Sequence, residues 1–244
     1  MRYGVLGDIH GNLSALNEAL RCLDRAGVDV LVSTGDIVGY GAAPSECIEL
    51  LRARGAVVVK GNHDAACTGE LDDRTFNPYA RAAVAWTRSV LRPAETAWLR
   101  ALPFTATLAD CQVAHGTLLR PALFDYVLSS TDADPSLEIQ IRPLCFVGHS
   151  HVPLAVLRLQ EAPLTSAYTR DDEIDLQGVC KALVNVGSVG QPRDEDPRTT
   201  FVLYDASAQR IWIRRTEYDI EAEVQRICRA GLPSVLAERL RLGV

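Results

Sequence analysis

The sequence predicts an α/β protein whose first part is built from parallel strands covered by helices and whose later part is rich in short strands. Three observations carry this. The first 60 residues alternate apolar, strand-like runs with leucines at helical spacing. Beyond Pro103 short apolar runs bounded by turn residues take over. Where several of these runs stop, a polar residue of metal-ligand type stands beside a glycine.

Arg2 to Leu6 reads as the first strand. Leu13, Leu16, Leu20 and Leu23 share one helical face, so a helix is expected over Asn12–Ala26, stopped by Gly27. Val28–Ser33 is a second apolar run. Pro44–Arg54 reads as a helix, with proline in its first turn and Gly55 just past its end. Ala56–Lys60 completes a β-α-β-α-β series, which requires crossover connections and hence parallel pairing. Residues 78–101 read as helical with a break near Pro93, and strands are expected near 104–109, 111–114, 144–147, 153–159, 183–186, 200–204 and 210–216. Glu161 to Gln177 shows no period and is expected to be an exposed loop. From Ile220 the spacing is helical again, split at Gly231-Leu232-Pro233. With no repeat and no low-complexity linker, one domain over 1–244 is the expectation.

Composition narrows the function classes. The chain has 244 residues, 48% of them hydrophobic, enough for a sizeable core. A formal net charge of -6 argues against a partner held by phosphate neutralisation, such as a nucleic-acid duplex. No apolar run approaches the ~20 residues that cross a bilayer, so no membrane partner is expected. The seven cysteines are scattered, without a C-x-x-C pair. They read as reduced, buried thiols in a cytoplasmic protein, and the immediate start of a strand after Met1 reads as lacking a signal peptide.

The chemistry lies at the strand ends. The first strand runs into Asp8-Ile9-His10, the second into Gly35-Asp36, and the third into Gly61-Asn62-His63-Asp64. Later runs lead into His115-Gly116 and Gly148-His149-Ser150-His151. All five histidines of the chain lie in these segments. In open α/β sheets ligands bind beyond the carboxyl ends of the strands. Glycines there let side chains converge closely. A carboxylate and imidazoles gathered at such an edge need a counter-group, and a metal ion supplies one.

These five blocks, in this order, resemble the signature of the calcineurin-like metallophosphoesterase superfamily. The stretches Ile37–Gly41, Phe76–Arg81 and Asn185–Asp194 are similar to a bacterial and archaeal branch of small phosphodiesterase-like proteins. The resemblance implies a four-layer α/β/β/α sandwich, two mixed sheets face to face with helices outside. It also implies a dinuclear site of two divalent transition-metal ions (Mn, Fe, Zn or Ni). Asp8, His10 and His151 would hold one ion; Asn62, His115 and His149 the other; Asp36 would bridge them. The mixed N and O donors suit first-row metals.

The activity so implied is hydrolysis of a small phosphodiester or nucleotide, by attack of a metal-bridging hydroxide on phosphorus. His63, which the family does not use as a ligand, is the expected general acid, with Asp64 orienting its ring. Arg193 is the expected phosphate clamp, with an ion pair to Asp194 or Asp196 as its alternative. Asn12 reads either as a helix cap or as a pocket residue. Tyr40, Phe76 and Tyr79 are candidates to line a base-stacking pocket, and Lys60 for a weaker phosphate role. The other readings are a diadenosine polyphosphate hydrolase, a serine/threonine phosphatase-like phosphomonoesterase and a non-catalytic scaffold. Nothing in the sequence indicates an oligomeric state.

Overall fold

The computed structural model describes residues 1–244. In chain order the strands are β1 (Arg2–Leu6), β2 (Val30–Ser33), β3 (Val57–Val58), β4 (Thr105–Thr107), β5 (Cys111–Ala114), β6 (Leu144–Val147), β7 (Leu154–Leu159), β8 (Ala162–Thr169), β9 (Glu173–Asp175), β10 (Val179–Asn185), β11 (Thr199–Asp205) and β12 (Arg210–Thr216). The helices are α1 (Leu13–Ala26), α2 (Pro44–Ala53), α3 (Asn62–Cys67), α4 (Pro78–Val90), α5 (Pro93–Arg100), α6 (Ser130–Ile139), α7 (Ile220–Arg229) and α8 (Ser234–Leu242).

Two six-stranded mixed sheets result, ordered β3-β2-β1-β11-β12-β9 and β4-β5-β6-β10-β7-β8. The pairs β1–β2 and β2–β3 are parallel, as are β5–β6 and β6–β10. The remaining neighbours are antiparallel. The period of two along each strand decides what is buried where. Tyr3 and Val5 of β1 pack with Leu144 and Phe146 of β6, Ala182 and Val184 of β10, and Val202 of β11, forming the core between the sheets. The alternate residues face outward. Cys145, Val147 and Leu183 meet Ala133 and Leu137 of α6. On the other sheet Leu6 and Phe201 meet the apolar faces of α1 and α2. The layers are therefore helix, sheet, sheet, helix, as expected.

Local signals set the element ends. Asn12 caps α1, its Oδ1 accepting from the Ala15 N–H at 3.0 Å, and Gly27 closes it with φ of 66°. The 78–101 segment is two helices, each opening with a proline. One expectation fails: Glu161–Gln177 is not a loop. It holds β8 and β9, strands at the edges of their sheets. β8 is exposed along most of its length, so its side chains show no inside–outside alternation to read. The third strand is also shorter than Ala56–Lys60, pairing only at Val57 and Val58.

Candidate metal centre

The parallel strands point their carboxyl ends at one place. β1 delivers Asp8 and His10, β2 Asp36, β3 Asn62 and His63, β5 His115, and β6 His149 and His151. All are buried. The seven expected ligands form an unbroken series of close approaches. Asp8 Oδ1 lies 3.3 Å from His151 Nε2, which lies 3.1 Å from His10 Nε2. His10 Nε2 is 3.6 Å from Asp36 Oδ2, and the same oxygen is 3.4 Å from His115 Nε2. His115 Nε2 in turn lies 3.0 Å from Asn62 Oδ1 and 3.1 Å from His149 Nδ1. Asp36 thus stands between an Asp8–His10–His151 group and an Asn62–His115–His149 group.

The backbone fixes which ring nitrogens face inward. His10, His115 and His151 each hold Nδ1 against a carbonyl oxygen, of Val38 (3.0 Å), Thr34 (2.9 Å) and Gln191 (2.6 Å). A carbonyl only accepts, so Nδ1 carries a proton in each, and the neutral form of the ring turns an Nε2 lone pair into the site. Lone pairs and carboxylate oxygens with no Lys or Arg among them are complementary to cations, and the N/O set without thiolate fits divalent first-row metals. The same surplus of acceptors moves protons. Burial would lower His115, but the Asp36 carboxylate overrides it and lifts the ring to about 9. Burial pushes His10 and His149 well below the usual imidazole range.

Holding these groups strains the chain. Asp8, His10, Asp36, His149 and His151 all have left-handed backbone, with φ of 51°, 50°, 53°, 70° and 62°. Two glycines make room. A Cβ on Gly61 would lie 2.0 Å from Asp36 Oδ1, and one on Gly148 would lie 2.4 Å from Asp8 Oδ2. In that space the His149 N–H donates to both Asp8 oxygens, at 3.1 and 3.0 Å.

The remaining candidates divide. His63 sits beside the ligands, its ring 4.4 Å from Tyr40 and 4.9 Å from Phe76 between centroids, with Nδ1 buried and unpartnered. Burial holds it down to about 4. Asp64 does not orient that ring, contrary to expectation. Its carboxylate accepts four backbone N–H groups, of Asp36 (2.9 Å), Ile37 (2.9 Å), Val38 (3.3 Å) and Gly61 (3.0 Å). Arg193 is not paired with Asp194 or Asp196, both of which face Arg215. Its guanidinium lies 5.8 Å over the Tyr40 ring and donates to Gln191 Oε1 at 3.1 Å, with Nε unpartnered. Asn12 is the cap and does not line the cleft beside the centre: its Oδ1 accepts from the Ala15 N–H, and its NH₂ donates to Gly190 O and Tyr218 Oη. Lys60 is spent on Glu70, at 2.8 Å. Tyr79 lies outside the cleft that adjoins the centre, whereas Tyr40 and Phe76 line it.

That cleft, about 480 Å³, has Asn62, His63 and His149 on its floor. Its far wall, Leu123, Phe124 and Tyr126, was not legible in the sequence, because it belongs to an aperiodic segment. Tyr126 stacks on His149 with centroids 3.8 Å apart and planes at 12°.

The pattern of calcineurin-like phosphoesterases matches residues 1–153. An uncharacterized protein of Methanocaldococcus jannaschii is 35% identical over 243 residues, 98% of this chain and 97% of its own length. The crystal structure of a metallophosphoesterase from Sphaerobacter thermophilus superposes with a TM-score of 0.88 at 39% identity, covering 100% of this chain and 99% of that one. A hypothetical protein of Pyrococcus horikoshii shares the fold at a TM-score of 0.80 and 20% identity, covering 100% and 98% of the two chains.

Proposed function

Because the chain belongs to the calcineurin-like phosphoesterase family, we propose that it hydrolyses a small phosphodiester or nucleotide with two divalent metal ions. The observation that carries this reading is the position of Asp36, midway along a continuous series of seven buried donors that opens on a cleft. Asp8, His10 and His151 would hold one ion, Asn62, His115 and His149 the other, and Asp36 both. Cations there supply polarisation of the phosphoryl oxygens and a nucleophilic water near neutral pH.

The chain's own groups do the rest. Asp64 locks the turn that presents Asp36. Arg193, free of any carboxylate, neutralises a phosphoryl oxygen, and Tyr40 supports its guanidinium from below. Water adds to phosphorus, the ester P–O bond breaks, and the departing alkoxide takes a proton from His63. For that His63 must be charged. Burial opposes this in the free chain, and a phosphoryl anion seated beside the ring favours it. Asn12 is assigned to the scaffold.

Side-by-side hydrolysis of bis-p-nitrophenyl phosphate and p-nitrophenyl phosphate, with Mn added and with chelator, tests the reading. Metal-dependent diester turnover is expected. Monoester turnover alone would transfer the assignment to a phosphatase. Silence on both, with metal bound, would favour a scaffold.

A further inference from the structure

The cleft beside the metal centre has an unusual wall for a protein of phosphate chemistry. None of its twelve lining residues is Lys, Arg, Asp or Glu. Beyond the floor it is formed by Leu71, Phe76, Leu123, Phe124 and Tyr126, with Thr75 and Asn77 at the edge. Leu123 is 57% exposed and Tyr126 48%, so apolar and aromatic surface stands open to water next to the reacting centre. A cleft of this size, with seven of its twelve lining residues hydrophobic, is the form of a small-molecule site. Of the cations nearby, Lys60 is paired with Glu70 and Arg88 with Asp73, while Arg193 stands over Tyr40 without a carboxylate partner.

The start of α4 opens on the same cleft. Pro78 has no N–H to give, and the Ala80 N–H is held by Asn77 Oδ1 at 2.9 Å. Asn77 keeps its amide NH₂, which has no partner in the chain.

On these grounds, and resting on the phosphoesterase reading above, we propose that the cleft seats the ester group of the substrate and selects a flat, uncharged aromatic alcohol, a nucleoside or an aryl alcohol. The base or ring lies against Tyr126 and Phe76, and the phosphate lies over His63 and the metal ligands.

The test uses phenylphosphonate and methylphosphonate, whose C–P bonds do not hydrolyse. Both are titrated calorimetrically into the metal-loaded protein and assayed as inhibitors of bis-p-nitrophenyl phosphate hydrolysis. Phenylphosphonate is expected to bind at least about tenfold tighter, the effect of covering one ring. That ratio should fall below about threefold in Tyr126→Ala and in Leu123→Ala, the second an exposed position that spares the His149 stack. Equal phosphonate affinities with diester hydrolysis intact overturn the proposal and leave the phosphoesterase reading standing. No hydrolysis and no binding of either phosphonate overturns both.

Discussion

Replacing Asp64 by Asn changes one oxygen to an NH₂ and nothing in volume, so no cavity term enters. The consequence comes from the four backbone N–H groups that converge on the carboxylate. In the better amide rotamer the remaining oxygen keeps Ile37 and Val38, and the NH₂ faces the N–H groups of Asp36 and Gly61. Two buried donors then lack an acceptor, at roughly 1–3 kcal/mol each, and the two kept bonds lose their charge assistance. The sum is about 3–6 kcal/mol, a large part of a typical 5–15 kcal/mol stability. Burial and the neighbouring Asp36 push Asp64 upward, but both oxygens face donors, which suits the ionised form. The assay is urea unfolding of parent and Asp64→Asn, with the midpoint falling at constant m, together with metal content, which should drop because the Asp36 turn loosens. A variant within about 0.5 kcal/mol of the parent that is merely slow in turnover would refute the reasoning. It would restore the role first expected of Asp64, orienting His63.

His63→Ala should keep its metal and lose about 10²–10⁴ in kcat on an alkyl or nucleoside ester, and far less on a p-nitrophenyl ester whose leaving group needs no proton; equal losses on both would remove the general-acid role. Phe146→Ala, which empties a fully buried site between the sheets, should cost about 3–5 kcal/mol by urea unfolding without altering the metal-to-protein ratio. The Arg198 side chain holds the Asp196 carboxyl down to about 2 from its ordinary 3.8. A depressed carboxylate stabilises fully above its unfolded value and loses that contribution as pH falls through the folded one. The stability curves of parent and Asp196→Asn should therefore converge between pH 3.8 and about 2, and parallel curves there would refute the coupling.

What the sequence revealed follows the physics of each signal. Parallel strands end in short, glycine-flanked turns, so Asp8, Asp36, Asn62, His115 and His149 stand where an apolar run stops. With every histidine in such a turn, the gathering of these side chains at one edge could be read without a structure. The helix face of α1 is legible because Leu16, Leu20 and Leu23 are all buried on it. Other elements lack a period to read. α3 is six residues long and wholly buried, α6 carries Pro135 inside, and the edge strand β8 is wet along most of its length. The work of Asp64 was misassigned because adjacency in sequence suggested His63, while the chain folds its carboxylate under the Asp36 turn 28 residues away. The aromatic wall of the cleft was missed because Phe124 and Tyr126 acquire meaning only through the tertiary contacts with His115 and His149.

The left-handed backbone of five candidate ligand positions has an engineering consequence. At φ near 50–70° an Asn or Gly is more comfortable than Asp or His, and each strained residue costs on the order of 1–3 kcal/mol. Random mutagenesis selected for heat resistance alone would therefore find some of its best solutions at Asp8, His10, Asp36, His149 and His151. The winners would be sturdier and catalytically dead. Any directed evolution of this scaffold has to screen for turnover and thermal tolerance together, with those positions held fixed.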